Sequence, residues 1–298
     1  VRVAVAGSSG FVGGELLPRL VDAGHEVVRL VRRSTADQAE ASWDPQTGTV
    51  DLDALTGVEA IVNLAGAGIG DRRWTSAYKR TLYDSHVGSA RVLARAAAEL
   101  SPAVSTLVSV GAMGYYGNDT GGRRLTESAP AGADFAAQIV ADKEAATEPA
   151  AEAGVRVVLP RLSLVMGTGG GTLGRRLLPL AKVGLLGPLA GGGSVWSVVS
   201  VQDTARAVLF LLENPSVSGP VNVSAPDTTT NGEFTRLLGD RLHRPTILPV
   251  PRFGLSVVLG EFADDVLADF NVDPTMLQQA GFTFEHPDAA SIIDAALA

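Results

Sequence analysis

Two hydrophobic rhythms alternate along the first two thirds of the chain. Short, near-continuous apolar runs rich in β-branched residues give way to stretches where apolar positions recur every three or four residues. "VRVAVAG" (1–7) has the pattern of a buried strand. Residues 11–23 follow as a helix, with Val12, Leu16 and Leu20 on one stripe and Pro18 expected to kink it. Further strands are predicted at 25–33, 57–66, 105–114, 155–165 and 219–224, and helices at 74–99, 134–153 and 202–214. Such alternation predicts an α/β protein, with a parallel sheet covered by helices on both faces.

Past residue 165 the rhythm breaks. "GTGGGTLGRRLLPLAKVGLLGPLAGGGS" (167–194) is punctuated by glycine, and 226–298 alternates short helices with Pro-rich turns such as "RPTILPVPRFG". The predicted organisation is a sheet domain of residues 1–165 plus 200–225. A smaller lobe, residues 166–199 plus 226–298, covers the carboxyl edge of the sheet.

Candidate chemistry enters at the first strand-to-helix turn. Gly7, Gly10 and Gly13 form GxxGxxG, a spacing that permits a tight turn, close backbone approach to a pyrophosphate and close helix–strand packing. Gly7, Ser9, Gly10, Phe11, Val12 and Gly13 are therefore the expected phosphate cradle, with the helix amino end supplying free N–H groups. An ordinary βα turn is the competing interpretation. The next strand ends "LVRRST", where an acidic residue would hold an NAD ribose. Arg32 and Arg33 stand there instead, with no carboxylate until Asp37. Paired guanidiniums suit a 2′-phosphate, so the expected cofactor is NADP(H), unless both arginines are merely solvated. "NLAG" (63–66) ends another strand and puts Leu64, Ala65 and Gly66 beside the cofactor.

Composition narrows the function classes. The chain has 298 residues, 46% of them apolar, and a net charge of −8, which disfavours binding to a phosphate backbone. It has no cysteine, which removes thiol and disulfide chemistry, and its four histidines are scattered too widely to predict a metal site. The apolar run at 1–6 is too short for a signal peptide or a membrane span. A cytoplasmic protein, monomer or homodimer, with a small-molecule substrate and neither nucleic-acid nor membrane partners is expected.

Several motifs line up over the whole length: "GSSGFVG" (7–13), "VNLAGAGI" (62–69), "RRWT" (72–75), "GYYG" (114–117), "TESAPAGADF" (126–135), "GGGTLGRRLLPL" (169–180) and "AGFTFEHP" (280–287). With these the chain resembles the atypical extended short-chain dehydrogenase/reductases, in particular their "epimerase family" branch. The resemblance implies a Rossmann doubly wound parallel sheet with a small C-terminal substrate lobe. It also implies a place for a tyrosine–lysine pair four residues apart on a helix, helped by a strand hydroxyl. In such enzymes the phenol moves the substrate proton, while the lysine tunes the phenol and holds the nicotinamide ribose.

That pair is not here. The residues four before Lys79, Lys143 and Lys182, the chain's three lysines, are Thr75, Ile139 and Leu178. Phe135 stands near the expected tyrosine, and Lys143 is predicted to be a solvated helix residue. Gly111 takes the usual serine position, which leaves Ser109 as the candidate strand hydroxyl and Tyr116 as the candidate proton donor. Tyr116 could equally pack as a structural residue. The branch's usual histidine is Ser200, and Asp203 is expected to cap a helix. Trp74, Trp196, Arg175 and Arg176 are expected near the cleft. The expected activity is an NADP(H)-dependent oxidoreductase on a small or nucleotide-linked carbonyl or alcohol. The alternatives are a non-catalytic NADP(H)-binding or redox-sensing protein and a nucleotide-sugar epimerase.

Overall fold

A computed structural model describes the chain from Val1 to Ala298 except Val258. Its main sheet contains β1 (Arg2–Ala6), β2 (Glu26–Val31), β3 (Glu40–Asp44), β4 (Ala60–Asn63), β5 (Thr106–Ser109), β6 (Arg156–Leu162) and β7 (Gly219–Val223). The spatial order is β3-β2-β1-β4-β5-β6-β7, all parallel, with Thr49–Val50 antiparallel on the β3 edge. The order reverses between β1 and β4, the switch point at which open α/β sheets bind ligands.

Alternation along β1 explains the two layers. Val3 and Val5 enter one core with Leu16 and Leu20 of α1 (Phe11–Asp22), while Ala4 and Ala6 enter the other with Leu93 and Ala97 of α2 (Ser76–Glu99). The strand is thus apolar on both faces, as a central parallel strand must be. On the α2 face lies α3 (Phe135–Ala145), and on the α1 face α4 (Val201–Glu213).

Three expectations shift. The helix predicted over 134–153 is two pieces, α3 and Glu148–Glu152, because Thr147 turns the chain just before Pro149 occupies the first turn of the second piece. The edge strand Glu40–Asp44 went unpredicted, since charged residues in it mask its period. Asp203 does not cap α4. Ser200 does, accepting the Asp203 N–H at 3.0 Å, and the buried Asp203 carboxylate instead accepts the backbone N–H groups of Glu285 and His286 at 3.0 and 2.8 Å. That side chain ties the carboxyl-terminal segment to the sheet domain.

A separate hydrophobic core joins the two stretches outside the main sheet. Met166, Leu173, Leu177 and Trp196 from one excursion pack with Phe234, Leu238, Ile292 and Ile293 from the other. Trp196, expected near the cleft, is buried in this core instead. Among the described residues no helix is long and apolar enough to cross a membrane.

Candidate cofactor and active site

The turn after β1 is shaped by two close approaches. Gly7 has φ +77°, and a Cβ there would meet the Leu64 carbonyl carbon at 2.7 Å; one on Gly13 would meet the Gly7 oxygen at 2.4 Å. A side chain at either position would push the loop, the β4 end or α1 apart. The Gly10 N–H donates to the Gly7 oxygen at 2.9 Å, and no side chain caps α1. Ser9, Gly10 and Phe11 at its amino end line a cavity of about 470 Å³, with Glu15, which pairs with Arg19, also on the wall. Backbone amides without side-chain partners, backed by the helix dipole, form a cradle suited to a phosphate.

Arg32 and Arg33 part company. Arg33 bonds Glu40 at 2.8 Å, and the same carboxylate, only 4% exposed, holds Arg29 at 2.8 Å and accepts the Thr35 hydroxyl at 2.8 Å. A carboxylate therefore does stand beside the β2 end, supplied by the neighbouring strand through the register that sets Arg29 opposite Glu40. Arg32 is exposed and, among the described residues, forms no side-chain hydrogen bond or ion pair.

Beyond β4 the chain enters a buried polar cluster. The Ala65 N–H donates to Asn63 Oδ1 at 3.0 Å, and Asn63 Nδ2 donates to Ser89 Oγ of α2 at 3.3 Å. Lys143 Nζ donates to the Ala65 oxygen at 3.3 Å, so the lysine reaches the carboxyl end of β4. Lys143 is 3% exposed, which overturns its expected place on the solvated surface. A readable signal existed: Ala136, Ile139, Val140 and Lys143 share the spacing of one buried helical stripe. The adjacent Glu144 turns away to Arg161 on β6, so the lysine is left without a carboxylate. Burial holds its pKa down at about 8, and His86 nearby is pushed down to about 4 by burial and by the charge of Lys143.

Ser109 lies opposite Asn63 in register, on the α2 face, and among the described residues its buried hydroxyl has no hydrogen-bond partner. Phe135 packs edge-on against Trp74, 5.3 Å between ring centroids, beside the buried Ile139. The position four before Lys143 is thus apolar and enclosed.

Tyr116 is elsewhere. It is 4% exposed, donates from its hydroxyl to Asn222 Oδ1 at 2.6 Å and accepts from Arg161 Nη1 at 3.2 Å; burial raises its pKa. A phenol closed in by these partners bridges β6 and β7 and is poorly placed to meet a substrate. Its expected role as proton donor gives way to a structural one, because the loop 113–116 coils into a 3-10 turn that drives the ring inward. Tyr116→Phe should lower stability by about 1–2 kcal/mol, the cost of one buried hydrogen-bond network member. Denaturant unfolding measures that loss, and NADPH affinity should stay unchanged in the same variant.

A glycine turn suited to a phosphate at the switch point of a mostly parallel nine-stranded sheet, a smaller core built after β6, and a buried lysine at the β4 end are features of an extended short-chain dehydrogenase/reductase. Residues 3–224 match the NAD dependent epimerase/dehydratase family, and residues 250–296 match a domain of unknown function (DUF1731). The chain belongs to the NAD dependent epimerase/dehydratase family. It is 44% identical over 285 residues to "Epimerase family protein Mb2239" of Mycobacterium bovis, covering 95% of this chain and 93% of that one. It is 32% identical over 302 residues to "Epimerase family protein SDR39U1" of Bos taurus, over the full length of both. The crystal structure of human epimerase family protein SDR39U1 (isoform2) with NADPH superposes with a TM-score of 0.89 at 28% identity, over 99% of each chain.

Proposed function

We propose that this protein is an NADP(H)-dependent oxidoreductase acting on a carbonyl or alcohol of a small or nucleotide-linked substrate. The observation that carries it is Lys143, a buried cation with no anionic partner, aimed at the carboxyl end of β4. Burying an unpaired charge is costly, and a ligand that accepts hydrogen bonds there would repay the cost. The glycine cradle suits a pyrophosphate, Lys143 would hold the nicotinamide ribose, and Arg32 is free for an adenosine 2′-phosphate. The human relative crystallised with NADPH supports the same choice of cofactor.

When bound, the nicotinamide supplies hydride exchange with the substrate carbon. The chain's part is to position and to exclude water. Ile139, Trp74 and Phe135 pack into one apolar cluster on the side of α3 that carries Lys143. Lys143, its pKa near 8, can hold or release a proton at Nζ close to neutral pH. The Ser109 hydroxyl, buried and without a partner among the described residues, is left to accept a hydrogen bond. Ile139 in place of a phenol favours a second reading, a protein that binds the cofactor without turnover.

Fluorescence titration distinguishes the cofactors. NADPH should bind tighter than NADH, and Arg32→Ala should weaken NADPH about tenfold, the order of a charge-assisted phosphate contact, while leaving NADH unchanged. No binding of NADPH at millimolar concentration would remove the proposal. Cofactor binding with no NADPH oxidation across a carbonyl panel would favour the second reading.

A further inference from the structure

Across the cradle from Gly10, the lobe presents a second glycine-rich segment. A Cβ on Gly170 or Gly171 would meet the Phe11 ring at 2.8 and 2.9 Å, so residues 167–171 form a saddle over the first residue of α1. The chain then makes a π-helical turn, Leu173–Leu177, a local geometry that recurs at functional sites. On this turn stands Arg175, which lines the same cavity as Ser9, Gly10, Phe11, Gly169 and Gln202.

Arg175 is occupied by a surface partner. Its Nη1 donates to Asp71 Oδ1 at 2.7 Å, with the two side chains 62% and 46% exposed. Asp71 belongs to the loop after β4, so the pair spans the mouth of the switch-point crevice. Water-exposed ion pairs are cheap to exchange, whereas a guanidinium facing a phosphate forms paired, charge-assisted bonds. Arg176 beside it lies over the Phe262 ring, 5.7 Å from its centroid, with its guanidinium against Gly70, and has no carboxylate partner among the described residues.

We propose that Arg175 is a lobe-borne clamp for the dinucleotide pyrophosphate, exchanging Asp71 for the diphosphate when the cofactor enters the cradle. The proposal rests on the cofactor reading above and adds to it a cation contributed by the second excursion. The glycine saddle lets segment 167–177 lie close enough to α1 for one side chain to reach the phosphates. Binding the cofactor then joins sheet domain and lobe through the ligand. Asp71 competes with the ligand for the same guanidinium.

The test is NADPH fluorescence titration of wild type, Arg175→Gln and Asp71→Asn, with adenosine 2′-monophosphate, which lacks the pyrophosphate, as a calorimetric control. Arg175→Gln should weaken NADPH about tenfold and leave adenosine 2′-monophosphate unchanged. Asp71→Asn, which frees the arginine, should tighten NADPH a few-fold; this variant carries the test if Arg175→Gln fails to fold. Wild type that binds NADPH, with both variants at its affinity, would overturn the clamp and leave the cofactor reading standing. Equal weakening of NADPH and adenosine 2′-monophosphate by Arg175→Gln would also overturn it, as a general disturbance of the site. Wild type that binds no NADPH would overturn both.

Discussion

Replacing Lys143 by methionine should stabilise the ligand-free protein and weaken NADPH binding ten- to a hundredfold. Both effects come from one observation, a cation buried at 3% exposure with a single backbone carbonyl for company. Holding its pKa at about 8 instead of 10.5 corresponds to about 3 kcal/mol against the charged form. Methionine has a similar reach and no charge, so part of that cost is recovered, about 1–3 kcal/mol once the lost carbonyl bond is allowed for. A hydrogen bond from a charged group to the cofactor contributes about 1.5–3 kcal/mol, which sets the loss of affinity.

The pH dependence fixes the sign. Between pH 8 and 10.5 the unfolded chain keeps a proton on Lys143 that the folded chain has released, so stability from this group rises with pH. Below pH 8 the penalty is present in full, and above 10.5 it is gone. The advantage of Lys143→Met in denaturant unfolding should therefore be largest at pH 7 and shrink towards pH 10. An advantage that is absent at pH 7, together with unchanged NADPH affinity, would refute the assignment of Lys143 to the cofactor.

Arg161→Met should cost about 3–5 kcal/mol, the usual consequence of stripping one partner from a buried ion pair. Arg161 is 1% exposed and meets Glu144 with Nε at 2.7 Å and Nη2 at 2.8 Å. Its guanidinium also lies 3.4 Å from the Tyr115 ring centroid and donates to Tyr116 and to the Glu127 carbonyl. Burial by itself would lower its pKa, but the hydrogen bonds and charge of Glu144, with the Tyr116 hydroxyl, together raise it, so it stays charged. Without it, the Glu144 carboxylate, 13% exposed, has lost its cation. The double variant Arg161→Met with Glu144→Leu should recover much of the loss, because the unpaired charge leaves too. Thermal unfolding of the three variants measures this, and a double variant as unstable as Arg161→Met would mean that packing on Tyr115 dominates.

Lys143 and the carboxylate that pairs with Arg161 share a helix and divide it. Lys143 and Glu144 are consecutive on α3, and a turn of about 100° per residue sends one side chain towards β4 and the other towards β6. Adjacent in sequence, Lys143 and Glu144 do not pair. Structure gives the Glu144 carboxylate to Arg161.

What the amino-acid order determined by itself is local. Runs apolar on both faces specify the parallel strands, and the stripe through Leu16 and Leu20 specifies α1, because side-chain period follows backbone geometry. GxxGxxG specifies the cradle, because Gly7 and Gly13 leave no room for a Cβ. What the tertiary structure decided is which distant residues meet. It placed Glu40 against Arg33, Asn222 against Tyr116, Asp71 against Arg175 and Ala65 against Lys143. Those pairs depend on strand register and loop path, which no local spacing encodes. In each pair the chemistry of one residue is set by a partner tens to more than a hundred positions away, or by a neighbouring strand.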